Sequence, residues 1–184
     1  DKQDCLSHRA QQQWPGALVV HRLDQATSGL VLMARHLDAQ RRLSHAFAER
    51  QVHKRYQAIV AGHMAAPTHG DWAEINLPIA ADWERRPLRV IDPVLGKPSL
   101  TRWRALAHDE SAHTTRIELE PVTGRTHQLR VHLAAVGHAI LGDALYADAV
   151  IHAQHPRLLL HAAWLAFEHP ATGQRIEISL PAPF

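Results

Sequence analysis

Period-two alternation of apolar and polar residues outnumbers helical periodicity along this 184-residue chain, and the two never settle into a regular strand–helix–strand rhythm. Side chains alternate between faces along a strand, so such stretches build a sheet with one face on a core. Without the βαβ rhythm the expected class is α+β: a mixed, largely antiparallel sheet flanked by helices. Strands are expected over 54–62, 71–77, 99–107 and 114–120, with a closing hairpin of 164–169 and 175–180 turned through 171–173. Two short apolar runs, 17–20 and 30–34, read as buried strands. Helices are expected over 37–50, where Leu43, Ala46 and Phe47 form an apolar stripe, and over 126–136, where Leu129, Leu133 and Val136 do so ahead of a Gly137 stop.

Length and composition set the outer limits. One domain is the default at 184 residues, and no run approaches the ~20 apolar residues of a membrane span. Cys5, the single cysteine, has no internal disulfide partner, which fits a reducing cytoplasm. The formal charge is only +2, but 17 of the 20 basic residues are Arg, the others being Lys2, Lys54 and Lys97. Arginine suits bidentate contact with phosphate and stacking on bases, although an Ala-rich chain also offers a plain compositional origin. The charge permits an RNA partner without demanding one.

Between the two short apolar runs lies His21-Arg22-Leu23-Asp24-Gln25-Ala26-Thr27-Ser28-Gly29. A core strand that delivers a carboxylate to a rim loop is a common way to place catalytic groups on a rigid scaffold. The same residues equally suit a surface Asp that caps the Thr-Ser-Gly turn. Downstream, Lys54-Arg55-Tyr56 opens a strand, where a tyrosine commonly packs half-buried with its hydroxyl on a neighbour. Trp83 and the arginines of 81–87 interleave in a manner suited to stacking on unpaired bases, or to an ordinary turn with one packed Trp. Gly124-Arg125-Thr126-His127-Gln128-Leu129-Arg130-Val131-His132 puts Arg125 where a strand turns into a helix, an end that favours anions. A metal reading of His127 and His132 competes, but their spacing of five does not place two ligands on one helical face.

In this order, HRLD with TSG, KRY and GRTHQLRVH resemble the catalytic segments of the RluA-type RNA pseudouridine synthases. The segments 138–143 with Tyr146, and 157–162, are similar to that family too. Asp82-Trp83-Glu84-Arg85-Arg86-Pro87, with Gly96-Lys97-Pro98 after it, resembles the dual-specificity branch, which modifies both rRNA and tRNA. The resemblance implies one pseudouridine synthase catalytic domain over 1–184, with no S4 domain. It also implies an upstream strand with a Lys-Pro segment, so the N-terminal part of the domain is expected to be missing from this sequence. It implies an isomerase of uridines in 23S rRNA, the tRNA anticodon stem-loop, or both, working as a monomer in the cytoplasm without cofactor or metal. By the same resemblance Asp24 is the essential carboxylate, Arg125 pairs with it, and Tyr56 contacts the base. Arg22 fills the space of the flipped uridine, and His21, Thr27 and Leu160 contact substrate. Two other classes stand beside it: a non-catalytic RNA-binding module on the same fold, and a metal-dependent hydrolase built on the histidines.

Overall fold

The computed structural model describes residues 5–65 and 72–184. Along the chain its elements are α1 (Leu6–Gln13), β1 (Leu18–Val19), β2 (Ser28–Gly29), β3 (Met33–Ala34), α2 (Leu37–Ala48), β4 (His53–Ala61), β5 (Ala73–Asn76), β6 (Ile79–Ala81), β7 (Arg89–Ile91), β8 (Leu100–Asp109), β9 (Thr114–Pro121), α3 (Gln128–Ala135), α4 (Ala149–Ala153), β10 (Leu160–Glu168) and β11 (Arg175–Ser179). The main sheet runs β11-β10-β4-β9-β8-β5, each pair antiparallel, and β2 joins β10 in parallel. The expected α+β class and mixed, largely antiparallel sheet are what the chain forms.

Alternation decides which face is covered. Ala58 and Val60 of β4 and Ile117 and Leu119 of β9 are fully buried, and α3 lays Leu129 and Leu133 on them. A second cluster joins Leu165 and Phe167 of β10 to Ala39 and Leu43 of α2. On the opposite face stand Arg55, Trp164 and Trp72, with Arg104 paired to Glu118 at 2.6 Å and Arg102 to Glu120 at 3.2 Å. One core-bearing face and one polar face is the usual solution for an antiparallel sheet.

Several boundaries move for local reasons. The apolar run 157–162 and the strand expected at 164–169 are one strand, β10, with a bulge between Ala162 and Trp164. Tyr56 pairs with Ala162 and Lys54 with Leu165, so the bulge returns Leu165 to the face of Ala162 and keeps the apolar row unbroken. Strand 71–77 contracts to β5, Asp71 lying outside the described residues. The runs 17–20 and 30–34 pair over two residues only, Leu18 with Ala34 and Val19 with Met33. Helix α3 begins at Gln128 rather than 126, because His127 sits in the left-handed region at φ 57°. Its residues 128–133 are all buried, while Val136, expected on the core stripe, is exposed. Helices α1 and α4 and the β6–β7 hairpin carry too little apolar periodicity to be read from sequence; α1 and α4 bury no residue at all.

Four histidines are held in this fold with lowered pKa, burial leading in each: His21, His127, His132 and His161. For His21 the value falls from 6.5 to about 4, burial first and the charge of Lys54 second. A depressed histidine binds fewer protons in the folded state. Its contribution is therefore complete above the unfolded value of 6.5 and is lost as pH falls toward 4. At pH 5 His21 alone should cost about 2 kcal/mol of stability. Urea unfolding at pH 7.5 and pH 5 checks this; equal midpoints would contradict it.

Candidate active site

The 21–29 loop is pinned at its far end by Gly29. Its φ of +115° is left-handed territory, and a Cβ there would run into the Ala162 backbone. Glycine lets β2 lie against β10, where Ser28 and Gly29 pair with His161 and Ala162 and Leu30 N–H donates to Ala162 O at 3.0 Å. At the near end the His21 ring stacks on Phe47 at 4.4 Å, and its Nε2 accepts the Leu32 N–H at 2.9 Å. A nitrogen that accepts is unprotonated, so His21 is neutral, in line with its lowered pKa. It lines the cleft, and its ring nitrogen is spent on holding the loop.

Between these anchors the turn is closed by Thr27 N–H donating to the backbone carbonyl of Asp24 at 2.9 Å. The Asp24 side chain is not what caps the turn. Its carboxylate, 24% exposed, instead faces a cleft of about 390 Å³ lined by Arg22, Thr27, Lys54, Tyr56, Arg125 and Leu160, among others. That size falls in the range of small-molecule sites, ~300–1,000 Å³. The capping alternative fails on this geometry, and the loop, β4, β10 and the β9–α3 corner meet where the sequence placed a site.

Tyr56 enters from β4, paired between Leu119 and Ala162. Burial first, and the Asp24 charge second, push its pKa up to about 12. It is therefore a neutral phenol at physiological pH, a hydrogen-bond donor rather than a base. Lys54, two residues earlier on the same face, also lines the cleft, its Nζ 5.6 Å from the Phe47 ring centroid and its pKa lowered by burial. Leu160, from β10, is 2% exposed and forms part of the apolar wall.

The expected pairing of Arg125 with Asp24 is not formed. Arg125 is exposed and directs its guanidinium to the Pro98 carbonyl at 3.4 and 3.5 Å. The cation facing Asp24 is Arg130, whose Nη1 is 3.7 Å from Asp24 Oδ2. The left-handed turn at His127 explains the exchange. The helix entered through it turns Arg130 inward and leaves Arg125 on the rim. Arg130 is 4% exposed and held bidentately by the fully buried Asp143, at 2.6 and 2.8 Å. Burial opposes the Arg130 charge, but the hydrogen bonds and charge of Asp143, with Asp24 beyond, outweigh it and raise its pKa. The corner is stitched by Gln128, whose Oε1 accepts from Thr123 Oγ1 and Arg125 N, and whose Nε2 donates to Leu100 O.

Comparisons with known proteins show the family to which this fold belongs. Residues 1–135 match the sequence model of a family described as RNA pseudouridylate synthase. The chain belongs to the RNA pseudouridylate synthase family. It is 45% identical over 98% of its length to the dual-specificity RNA pseudouridine synthase RluA of Pasteurella multocida, covering 80% of that protein. To the Escherichia coli K12 protein of the same name it is 42% identical over its full length, covering 82%. A solved structure, human RNA pseudouridylate synthase domain containing 1, superposes with a TM-score of 0.83 at 32% identity, covering 97% of this chain and 74% of that one.

In this pseudouridylate synthase the residues singled out from sequence, His21, Arg22, Asp24, Thr27, Tyr56, Arg125 and Leu160, all line one cleft. Sequence reasoning missed Arg130 and His127 as neighbours of Asp24. Arg130 lies three residues ahead of Leu133, on the side of the helix that bears that core leucine, and an Arg so placed needs a buried partner. Arg22 is exposed at the cleft's edge and, among the described residues, makes no ion pair with Asp24. Both ring nitrogens of His132 are engaged, Nδ1 by Thr101 Oγ1 and Nε2 by Leu77 O, which leaves none for a metal. Among the described residues no helix is long and apolar enough to cross a membrane.

Proposed function

We propose that this pseudouridine synthase acts on uridines of 23S rRNA and the tRNA anticodon stem-loop, with Asp24 as the reacting carboxylate and residues 1–184 working as one catalytic unit. The observation that carries the assignment is the Asp24 carboxylate itself, free of its turn and turned into the cleft between Arg130 and Tyr56. The relatives' dual specificity and the Trp83–Arg86 pair support the substrate class. Trp83 is 71% exposed with the Arg86 guanidinium 4.1 Å over its ring, a ready stacking platform for an unpaired base.

The reaction is an isomerisation. The N1–C1′ bond breaks, the uracil turns, C5 joins C1′, and the proton leaving C5 is balanced by one gained at N1. No electrons enter or leave. Asp24 acts at the sugar carbon or its neighbour, Arg130 supplies a fixed positive field beside it, and neutral Tyr56 donates to the base. The uracil is unreachable while stacked, so it is flipped into the cleft. Tritium release from 5-tritiated uridine, measured on 23S rRNA and tRNA transcripts, tests the assignment. No release from either would overturn it.

Exposed at the cleft's edge, Arg22 is placed to occupy the vacated space in the RNA. Opening the stack costs a few kcal/mol, part of which an inserted planar cation recovers. Arg22→Ala should slow reaction on a stem-loop about 10-fold more than on an unstructured oligomer, and Arg22→Lys should rescue only in part. Equal losses on both substrates would show that Arg22 supports Asp24 instead.

A further inference from the structure

The loop after Ile140 contains no residue with a role in the reaction described so far, yet two of its side chains reach behind Asp24. Asp143 grips Arg130. Tyr146, three residues on, reaches His127, its hydroxyl 2.6 Å from His127 Nδ1. The other ring nitrogen, Nε2, faces the carboxylate at 3.9 Å from Asp24 Oδ1, and the His127 side chain is 11% exposed. Asp24 thus sits between a guanidinium and an imidazole, both held by one turn.

Which nitrogen of His127 carries the proton follows from its neighbours. The Tyr146 oxygen already accepts the Arg89 backbone N–H at 3.0 Å. Its own proton needs an acceptor, and His127 Nδ1 is the one in reach. A carboxylate is an acceptor only, so at the far end of the ring Nε2 is the nitrogen suited to bear hydrogen. Both ends of the ring demand the same tautomer. The groups around the ring are Asp24, Arg130, Arg89, Asp143 and Tyr146. Burial is the largest influence and lowers the pKa, Asp24 and Asp143 oppose it, and Arg130 and Arg89 add to it; the net direction is down. The ring is neutral, so it offers Asp24 a donor without a second full charge that would hold the carboxylate in place.

We propose that His127 is a positioning residue for Asp24: Tyr146 locks its neutral ring as the Nε2–H tautomer, which aims a hydrogen-bond donor at the carboxylate. At 3.9 Å the contact is longer than a hydrogen bond. In the substrate complex this contact must shorten to a hydrogen bond, as catalytic contacts commonly do. The left-handed backbone at His127, uncommon for a residue other than glycine, is what turns the ring toward Asp24 rather than outward. This proposal rests on Asp24 being the reacting carboxylate.

Two substitutions separate positioning from mere structure. Asparagine suits the left-handed backbone and keeps a polar atom near the position of Nδ1, but it is too short to reach Asp24. Glutamine places its amide N–H near the position of Nε2. A purely structural role therefore favours His127→Asn. The proposal favours His127→Gln, which should retain about a tenth of the single-turnover rate while His127→Asn falls on the order of 100-fold. Tyr146→Phe should lower the rate about 10-fold with KM unchanged, because the tautomer is no longer fixed. Nitrogen-15 spectra of the histidine side chains in the full protein should show His127 Nδ1 bare and Nε2 protonated. A protonated Nδ1, or His127→Asn as active as His127→Gln, would overturn the proposal. Asp24→Asn in the same assay keeps the two readings apart: its activity would overturn the Asp24 assignment itself, whereas its inactivity beside an active His127→Asn would overturn only the role of His127.

Discussion

Asp24→Asn is expected to reduce pseudouridine formation to background while RNA affinity changes only a few-fold. The substitution keeps size and shape and removes charge and nucleophilicity. The loop should survive it, because the turn is closed by the backbone carbonyl of residue 24 and pinned by Gly29 against Ala162. Binding should survive as well, because affinity for RNA comes mainly from cations and stacking surfaces along the backbone's path. Removing a carboxylate that reacts or takes up a proton costs the chemical step directly, and losses of 10⁴-fold or more are usual for groups of this kind. Tritium release under single-turnover conditions, beside filter binding of the same transcript, is the measurement. A rate within 10-fold of the wild type would return Asp24 to the status of a turn residue.

The parts of the site that sequence revealed are those where one strand or loop fixes a side chain by itself. Asp24 follows from a polar loop between two apolar runs. Tyr56 follows from period-two alternation in β4, which fixes it on the face of Ala58 and Val60. The parts that sequence hid depend on contacts between distant segments. Whether Arg125 or Arg130 meets Asp24 turns on a single left-handed residue, His127, which gives no compositional signal because only a small minority of non-glycine residues adopt that conformation, even of the types that favour it. The bulge in β10 was hidden for a similar reason. It shifts parity by one residue, so the run 157–162 and the stretch 164–169 look like two elements when read for alternation alone. The fold class survived these local misses, since it needed only the ratio of alternating to helical stretches and the lack of a βαβ rhythm.

The largest effect on stability is expected from Asp143→Ala. Asp143 is fully buried, and every polar contact its carboxylate makes has a use: two hydrogen bonds from Arg130, one from Leu145 N at 2.9 Å and one from Tyr146 N at 3.2 Å. Truncating it leaves a guanidinium that is 4% exposed with no strong partner, its next acid being Asp24 at 3.7 Å. Breaking a buried pair from one side costs about 3–5 kcal/mol, because the remaining charge is neither solvated nor compensated. Against a total stability of ~5–15 kcal/mol, that is enough to leave the variant only marginally folded at 37 °C. Replacing both partners, as in Asp143→Leu with Arg130→Met, should recover most of the loss, since well-packed apolar side chains of similar volume commonly match a buried ion pair. Activity should not recover with it, because the positive field beside Asp24 is gone. Urea unfolding of wild type, single and double variants, with tritium release on each, measures both halves. A loss below about 1 kcal/mol for Asp143→Ala would mean that Arg130 reaches water or Asp24 without cost. A double variant that is both stable and fully active would remove Arg130 from the chemistry.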